Sequence, residues 1–193
     1  MARCYSDAVT KSQTLLTTRV LPATWLISDA RNDAVLEKAL DTLPRGSGFV
    51  FRHYHLPTPQ RHARFKVLAH IARARGIPVA LAGDPARARD WGADAVYGAP
   101  SQVAGAHGLI RVATVHSLRE LGEAHRARAD LVMLSPVFAT RSHPGAKALG
   151  PMRARLIARH AQVPVVMLGG MNARRARAMA PHGWAAIDGL TPS

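Results

Sequence analysis

Along this chain, short apolar runs alternate with longer stretches whose apolar residues recur at helical spacing. Ala23 to Ser28 (ATWLIS) is such a run, and Asn32 to Leu43 follows with Val35, Leu36, Ala39, Leu40 and Leu43 on one face. The pattern predicts a strand and then a helix. The unit recurs as strand Gly48 to Arg52, helix Thr58 to Arg75, strand Ile77 to Leu81 and a short helix from Pro85, a residue suited to a first helical turn because its missing N–H is not needed there. Ala93 to Tyr97 (ADAVY) and Leu109 to Thr114 (LIRVAT) read as strands, and Ser117 with Glu120 three residues on marks a helix start. Strand Asp130 to Leu134, a loop rich in Gly, Pro, Ser and Thr from Ser135 to Gly150, helix Pro151 to His160, strand Val163 to Leu168, helix Asn172 to Met179 and strand Trp184 to Ile187 complete the series.

Strands alternating with helices imply a parallel sheet, and about eight such units are the number at which the sheet closes into a (β/α)8 TIM barrel. The expected fold is therefore one compact α/β barrel domain over residues 23–193, with residues 1–22 as an N-terminal extension or capping helix. At 193 residues the chain is short for a barrel, and only six residues follow Ile187, so the last helix is expected to be missing. An uncovered final strand would leave apolar area that a second copy of the chain can cover, which makes a homodimer an expectation.

Composition adjusts this picture in two places. Lys and Arg exceed Asp and Glu, 26 to 12, for a formal charge of +14, which raises nucleic acid as a partner. The arginines are spread over successive helices instead of gathered in blocks, and a barrel distributes its helices around a ring, so no nucleic-acid partner is expected. Cys4 is the only cysteine, so the chain cannot form an internal disulfide, and no run approaches the roughly 20 apolar residues of a membrane span. A cytoplasmic protein without a membrane partner is the expectation.

Barrel chemistry sits on the loops that follow the strands. The most specific local feature is Leu168-Gly169-Gly170-Met171-Asn172 opening a helix, where two glycines let backbone N–H groups approach an anion. Asp188-Gly189-Leu190 after the last strand offers a second glycine turn. Gly169, Gly170, Asn172 and Gly189 are thus candidates for holding a phosphate, with Thr114, Thr140 and His143 on neighbouring loops. His116 follows the fifth strand, and a histidine near neutrality moves protons either way. Arg52 ends an otherwise apolar strand and needs an anionic partner. His53 and His55 lie two apart with no carboxylate cluster beside them in sequence, which argues against a metal there.

From Ala93 to Leu190 the chain resembles the thiamine-phosphate synthase and thiazole tautomerase superfamily. Gly92-Ala93-Asp94-Ala95-Val96 looks like its GADGV strand, and Thr114-Val115-His116-Ser117-Leu118 with Glu120 resembles the tautomerase stretch SVHSLEE. Ser135-Pro136-Val137-Phe138-Ala139-Thr140 is similar to GPVFPT, and Val163 to Met171 to PVVAIGGI/M. The first half agrees through Leu26-Ile27-Ser28-Asp29 and Arg52. The resemblance implies a TIM barrel and one of two activities. The synthase joins hydroxymethylpyrimidine diphosphate to a thiazole phosphate with Mg²⁺; the tautomerase aromatises a thiazole phosphate carboxylate without a metal.

Departures from the synthase pattern bear on the choice. Its Q-x-R-x-K is here Val50 to Tyr54, keeping only Arg52; its Asn-Asp pair is Gly83-Asp84; its H-x-G-Q-x-D run is Tyr97 to Gln102, without the carboxylate that would hold Mg²⁺ beside Asp84. His143 stands where its loop lysine belongs. The expectation is therefore a cofactor-free isomerase acting on a small phosphorylated substrate, with His116 as general acid and base and Arg52 on a substrate carboxylate. The alternatives are a divergent Mg²⁺-dependent synthase using Asp84, or a non-catalytic binder of a phosphorylated ligand.

Overall fold

A computed structural model describes residues 20–141, 145, 147–179 and 181–191. Eight strands alternate with helices: β1 (Thr24–Ile27), a 3-10 stretch (Ala30–Val35), α1 (Leu36–Thr42), β2 (Ser47–Phe51), α2 (Thr58–Ala74), β3 (Val79–Ala82), α3 (Pro85–Asp90), β4 (Ala95–Gly98) and α4 (Pro100–Val103). Then come β5 (Ile110–Val115), α5 (Leu118–Arg126), β6 (Leu131–Leu134), α6 (Pro151–Ala158), β7 (Val165–Met167), α7 (Ala173–Met179) and β8 (Gly183–Ala186). Each strand pairs in parallel with the next, and β8 returns to β1 with Thr24 opposite Trp184 and Leu26 opposite Ala186, closing the barrel.

The strands read as unbroken apolar runs because both of their faces are buried. Trp25, Ile27, Val50, Ala80, Tyr97, Val112 and Met133 point into the lumen, while Leu26, Phe49, Phe51, Leu81, Val96 and Leu134 pack outward against the helices. Two expected elements differ in detail. The helix expected from Asn32 to Leu43 divides at Leu36, because Asn32 turns inward: its amide donates to the carbonyls of Ile27 (3.0 Å) and Ile187 (3.1 Å), and its Oδ1 accepts from the Asp29 amide. One buried side chain thereby clips the ends of β1 and β8 together. The turn of helix α4 was not marked by the apolar pattern; Pro100 starts it and Gln102 caps it by accepting from the Ala99 amide.

Among the described residues no helix follows β8, where Asp188 to Thr191 form turns. The N-terminal segment Ser6 to Thr18 lies outside the described residues. Among those described, no helix is long and apolar enough to cross a membrane.

Candidate functional site

The ends of the strands open into a cavity of about 680 Å³. Of the residues singled out from the sequence, Arg52, Thr114, His116, Thr140, Gly169, Gly170 and Gly189 line it. His143 lies outside the described residues. Asn172 is not in the lining; its Oδ1 accepts from the Arg175 amide, so it caps α7. Asp84 is also outside the lining, and its carboxylate accepts from the amides of Ala86 and Arg87 as the cap of α3.

His116 is held from two sides. Ser117 Oγ accepts from the Glu120 amide at the start of α5, as expected, but the Glu120 carboxylate reaches one residue further back, to the His116 amide at 2.9 Å. The imidazole Nδ1 lies 2.7 Å from the carbonyl of Ser135, at the end of β6. A carbonyl only accepts, so Nδ1 carries the proton and Nε2 keeps its lone pair. In the neutral ring Nε2 is therefore the proton acceptor, and no other described residue hydrogen-bonds to it.

After β7, one strand beyond the β6 loop whose Ser135 carbonyl holds His116, Gly169 and Gly170 turn with φ of +94° and +60°. The carbonyls of Leu168 and Gly169 accept from Val137 and Phe138, which packs the β6 and β7 loops together. No described residue hydrogen-bonds to the amides of Gly169, Gly170 or Gly189, which leaves three N–H donors around one wall of the cavity. This is a donor set suited to a phosphate.

The rim carries charges of alternating sign. Arg52 lies 3.8 Å from Asp29, which also pairs with Arg31 at 3.0 Å; Asp188 is 3.0 Å from Arg141 and 3.6 Å from Arg31. Burial alone would raise the Asp29 carboxyl, but the hydrogen bonds from Arg31 and the charges of Arg31 and Arg52 outweigh it and hold it below the usual range. Tyr97 and Gln102 also line the cavity. Burial pushes the Tyr97 phenol up to about 12, so it stays protonated.

The family resemblance brings Mg²⁺ into question. Asp84 is engaged as a helix cap, Ala99 to Gln102 supply no carboxylate, and the Asp188 carboxylate in the cavity wall is covered by two arginines. Among the described residues these groups do not make a magnesium site. Asp33, His53 and His55 bring ligand-type atoms within 4.8 Å of one another outside that wall, but both His53 nitrogens are already hydrogen-bonded and Arg64 occupies Asp33.

Comparison with known proteins matches residues 24–190 to the family described as thiamine monophosphate synthase. The chain is similar to a thiamine-phosphate synthase of Pyrococcus furiosus, 27% identical over 175 residues, covering 86% of this chain and 82% of the relative. It is also similar to a thiamine-phosphate synthase of Chloroflexus aurantiacus, 33% identical over 131 residues, covering 63% of this chain and 60% of the relative. Among solved structures, a thiamine phosphate pyrophosphorylase from Pyrococcus furiosus superposes with a TM-score of 0.73 at 26% identity, covering 85% of this chain and 84% of that one.

Proposed function

The chain belongs to the thiamine monophosphate synthase family, and on that premise we propose that it holds a thiazole phosphate at Gly169, Gly170 and Gly189 and isomerises it by proton transfer through His116. The observation that carries this reading is the Ser135 carbonyl on His116 Nδ1, which leaves Nε2 as the base of a histidine that lines the cavity. Nε2 takes a proton from one ring position of the substrate, and the imidazolium returns it at another, so no atom is gained or lost. Arg52 faces a substrate carboxylate and stabilises the charge that develops between the two transfers. The partner is a small phosphorylated molecule, and neither a nucleic acid nor a membrane is part of this reading.

A second reading has its own support. The relatives named above are synthases, and condensation of hydroxymethylpyrimidine diphosphate with a thiazole phosphate would use the same cradle while releasing pyrophosphate. The names favour this reaction; the engagement of Asp84 as a helix cap and the pairing of the wall carboxylate Asp188 with Arg31 and Arg141 favour proton transfer.

One assay separates them. The protein is supplied with a thiazole phosphate carboxylate alone, and separately with the pyrimidine diphosphate, thiazole phosphate and Mg²⁺. Isomerisation of the first without metal supports proton transfer, whereas Mg²⁺-dependent pyrophosphate release in the second overturns it in favour of the synthase. Thermal stabilisation by the ligands with no turnover in either mixture leaves a binding protein.

A further inference from the structure

Behind Arg52, the ends of β1 and β2 meet in a buried chain of hydrogen bonds that the reading above leaves unused. Ser28 is fully buried, and its Oγ lies 2.7 Å from the Arg52 amide and 2.8 Å from His53 Nδ1. His53, 1% exposed, stacks on Phe51 and places Nε2 2.8 Å from Asp33 Oδ1. Arg64 donates to that same carboxylate oxygen at 2.7 Å. The proton positions follow from the donors. The Asp33 carboxylate only accepts, so His53 Nε2 carries a proton; in the neutral ring Nδ1 then accepts from the Ser28 hydroxyl, whose oxygen accepts from the Arg52 amide. Ser28, His53 and Asp33 have the order of a nucleophilic triad, but a hydroxyl with no exposure and no place in the cavity wall meets no substrate.

We propose that His53 is a positioning residue for Arg52: as a neutral imidazole protonated on Nε2, it holds the Ser28 hydroxyl in the orientation that accepts the Arg52 amide. The adjacent Asp29 takes the guanidinium of the same arginine, and Arg61 Nε, from α2, donates to its carbonyl at 2.8 Å. Arg52 is thus fixed through its amide, its carbonyl and its side chain. His53 itself turns with φ +40°, a left-handed backbone uncommon outside glycine.

The arrangement is sensitive to acid. Protonating His53 puts a hydrogen on Nδ1, and the Ser28 hydroxyl, buried, loses its acceptor. The groups facing the ring are Asp33, Arg64 and His55, with Arg61 behind Arg52. Burial lowers the His53 value, and Arg64 and His55 add to this; Asp33 opposes it, but the net direction is down. The neutral form is therefore kept at neutral pH.

This inference rests on Arg52 meeting the substrate, but its test does not. Native-state hydrogen exchange at the Arg52 amide and the ring nitrogen signals of His53 are measured in the wild type, Ser28→Ala, His53→Gln and His53→Asn. Protection of the Arg52 amide is expected to fall about tenfold or more in Ser28→Ala and His53→Gln. His53→Asn places a carbonyl near the Nδ1 position and should restore protection without the acid sensitivity. Equal protection in the wild type and Ser28→Ala, or a wild-type His53 protonated on Nδ1 at neutral pH, would overturn the proposal. Should a variant not fold, the wild-type pH series decides it: protection must drop as His53 takes up its proton, and constant protection through that titration rejects the role. A thiazole phosphate carboxylate is then titrated into wild type and Ser28→Ala, with about tenfold weaker binding expected in the variant. Failure of the wild type to bind it counts against the functional reading, while the exchange result judges His53 independently.

Discussion

At Gly170 the chain needs a left-handed turn and the absence of a side chain together: φ is +60°, and a Cβ would stand 2.6 Å from the Ala139 carbonyl oxygen. Gly170→Ala should therefore weaken binding of a phosphorylated ligand about tenfold or more and cost about 1–3 kcal/mol of stability, readable by calorimetric titration and urea unfolding. His116→Asn should lower turnover about 10²–10⁴-fold while leaving the ligand dissociation constant nearly unchanged; a rate near wild type would assign the proton to another group. His53 adds a pH signature. Because its folded value lies below the ordinary 6.5, the unfolded chain binds a proton that the folded chain resists, so stability should fall as pH drops from 6.5 toward the folded value. Asp29 and Asp33, also lowered, act in a separate window: their stabilisation is full above 3.8 and lost as pH falls through their folded values. Urea unfolding across pH should show both windows in the wild type and only the acidic one in His53→Asn. Arg52, His116 and the glycine pair were legible because each is a polar or glycine residue placed directly after an apolar run. Tyr97 was not, since inside the run ADAVY a phenol facing the lumen looks like any other core residue. Asn172 and Asp84 show the converse difficulty: a short polar side chain before a helix reads alike as ligand or cap, and both turn out to cap.

Helix starts are where the two functional readings can be separated most directly. Asp84 caps the six-residue α3, and Asn caps about as well as Asp. Asp84→Asn should leave both stability and isomerisation close to wild type, whereas Asp84→Ala should cost about 1 kcal/mol. A collapse of turnover in Asp84→Asn with unchanged unfolding would instead favour a metal-binding role and the synthase. The order of strands and helices was legible because each strand is a short apolar run buried on both faces and each longer helix shows a helical stripe. Helix α4 escaped notice because its four residues, Pro100 to Val103, are too few to show a period. The division before α1 escaped it because the cause is a contact between distant residues, Asn32 with the carbonyl of Ile187.

Over the whole molecule, charge and packing each divide the barrel. Between Leu131 and Ile187 there are eight arginines and lysines and no carboxylate, so the sector of α6 and α7 is positive and flanks the glycine wall, a field that favours an anionic ligand. Acids gather instead near the first helices, where Asp33 and Glu37 hold Arg64. Along the barrel axis the division is between a closed floor and an open mouth. Trp25 plugs the start of the lumen, fully buried, with its indole N–H on the Pro22 carbonyl at 2.7 Å, opposite Gly48 in the β1–β2 register. A Cβ at Gly48 would lie 2.5 Å from the indole Cε3, and the ring, pinned by its hydrogen bond and by the surrounding strands, cannot withdraw freely. Gly48→Ala should destabilise by about 1–3 kcal/mol through overpacking, which lowers the melting temperature by roughly 2–4 °C per kcal/mol in a chain of this size. Because Gly48 lies near the start of β2 and the cavity lies beyond the far ends of the strands, the affinity for a phosphorylated ligand should not change. Melting curves and ligand titrations on the same variant test this separation; a parallel loss of affinity would mean that lumen packing is transmitted to the mouth and that floor and site form one mechanical unit.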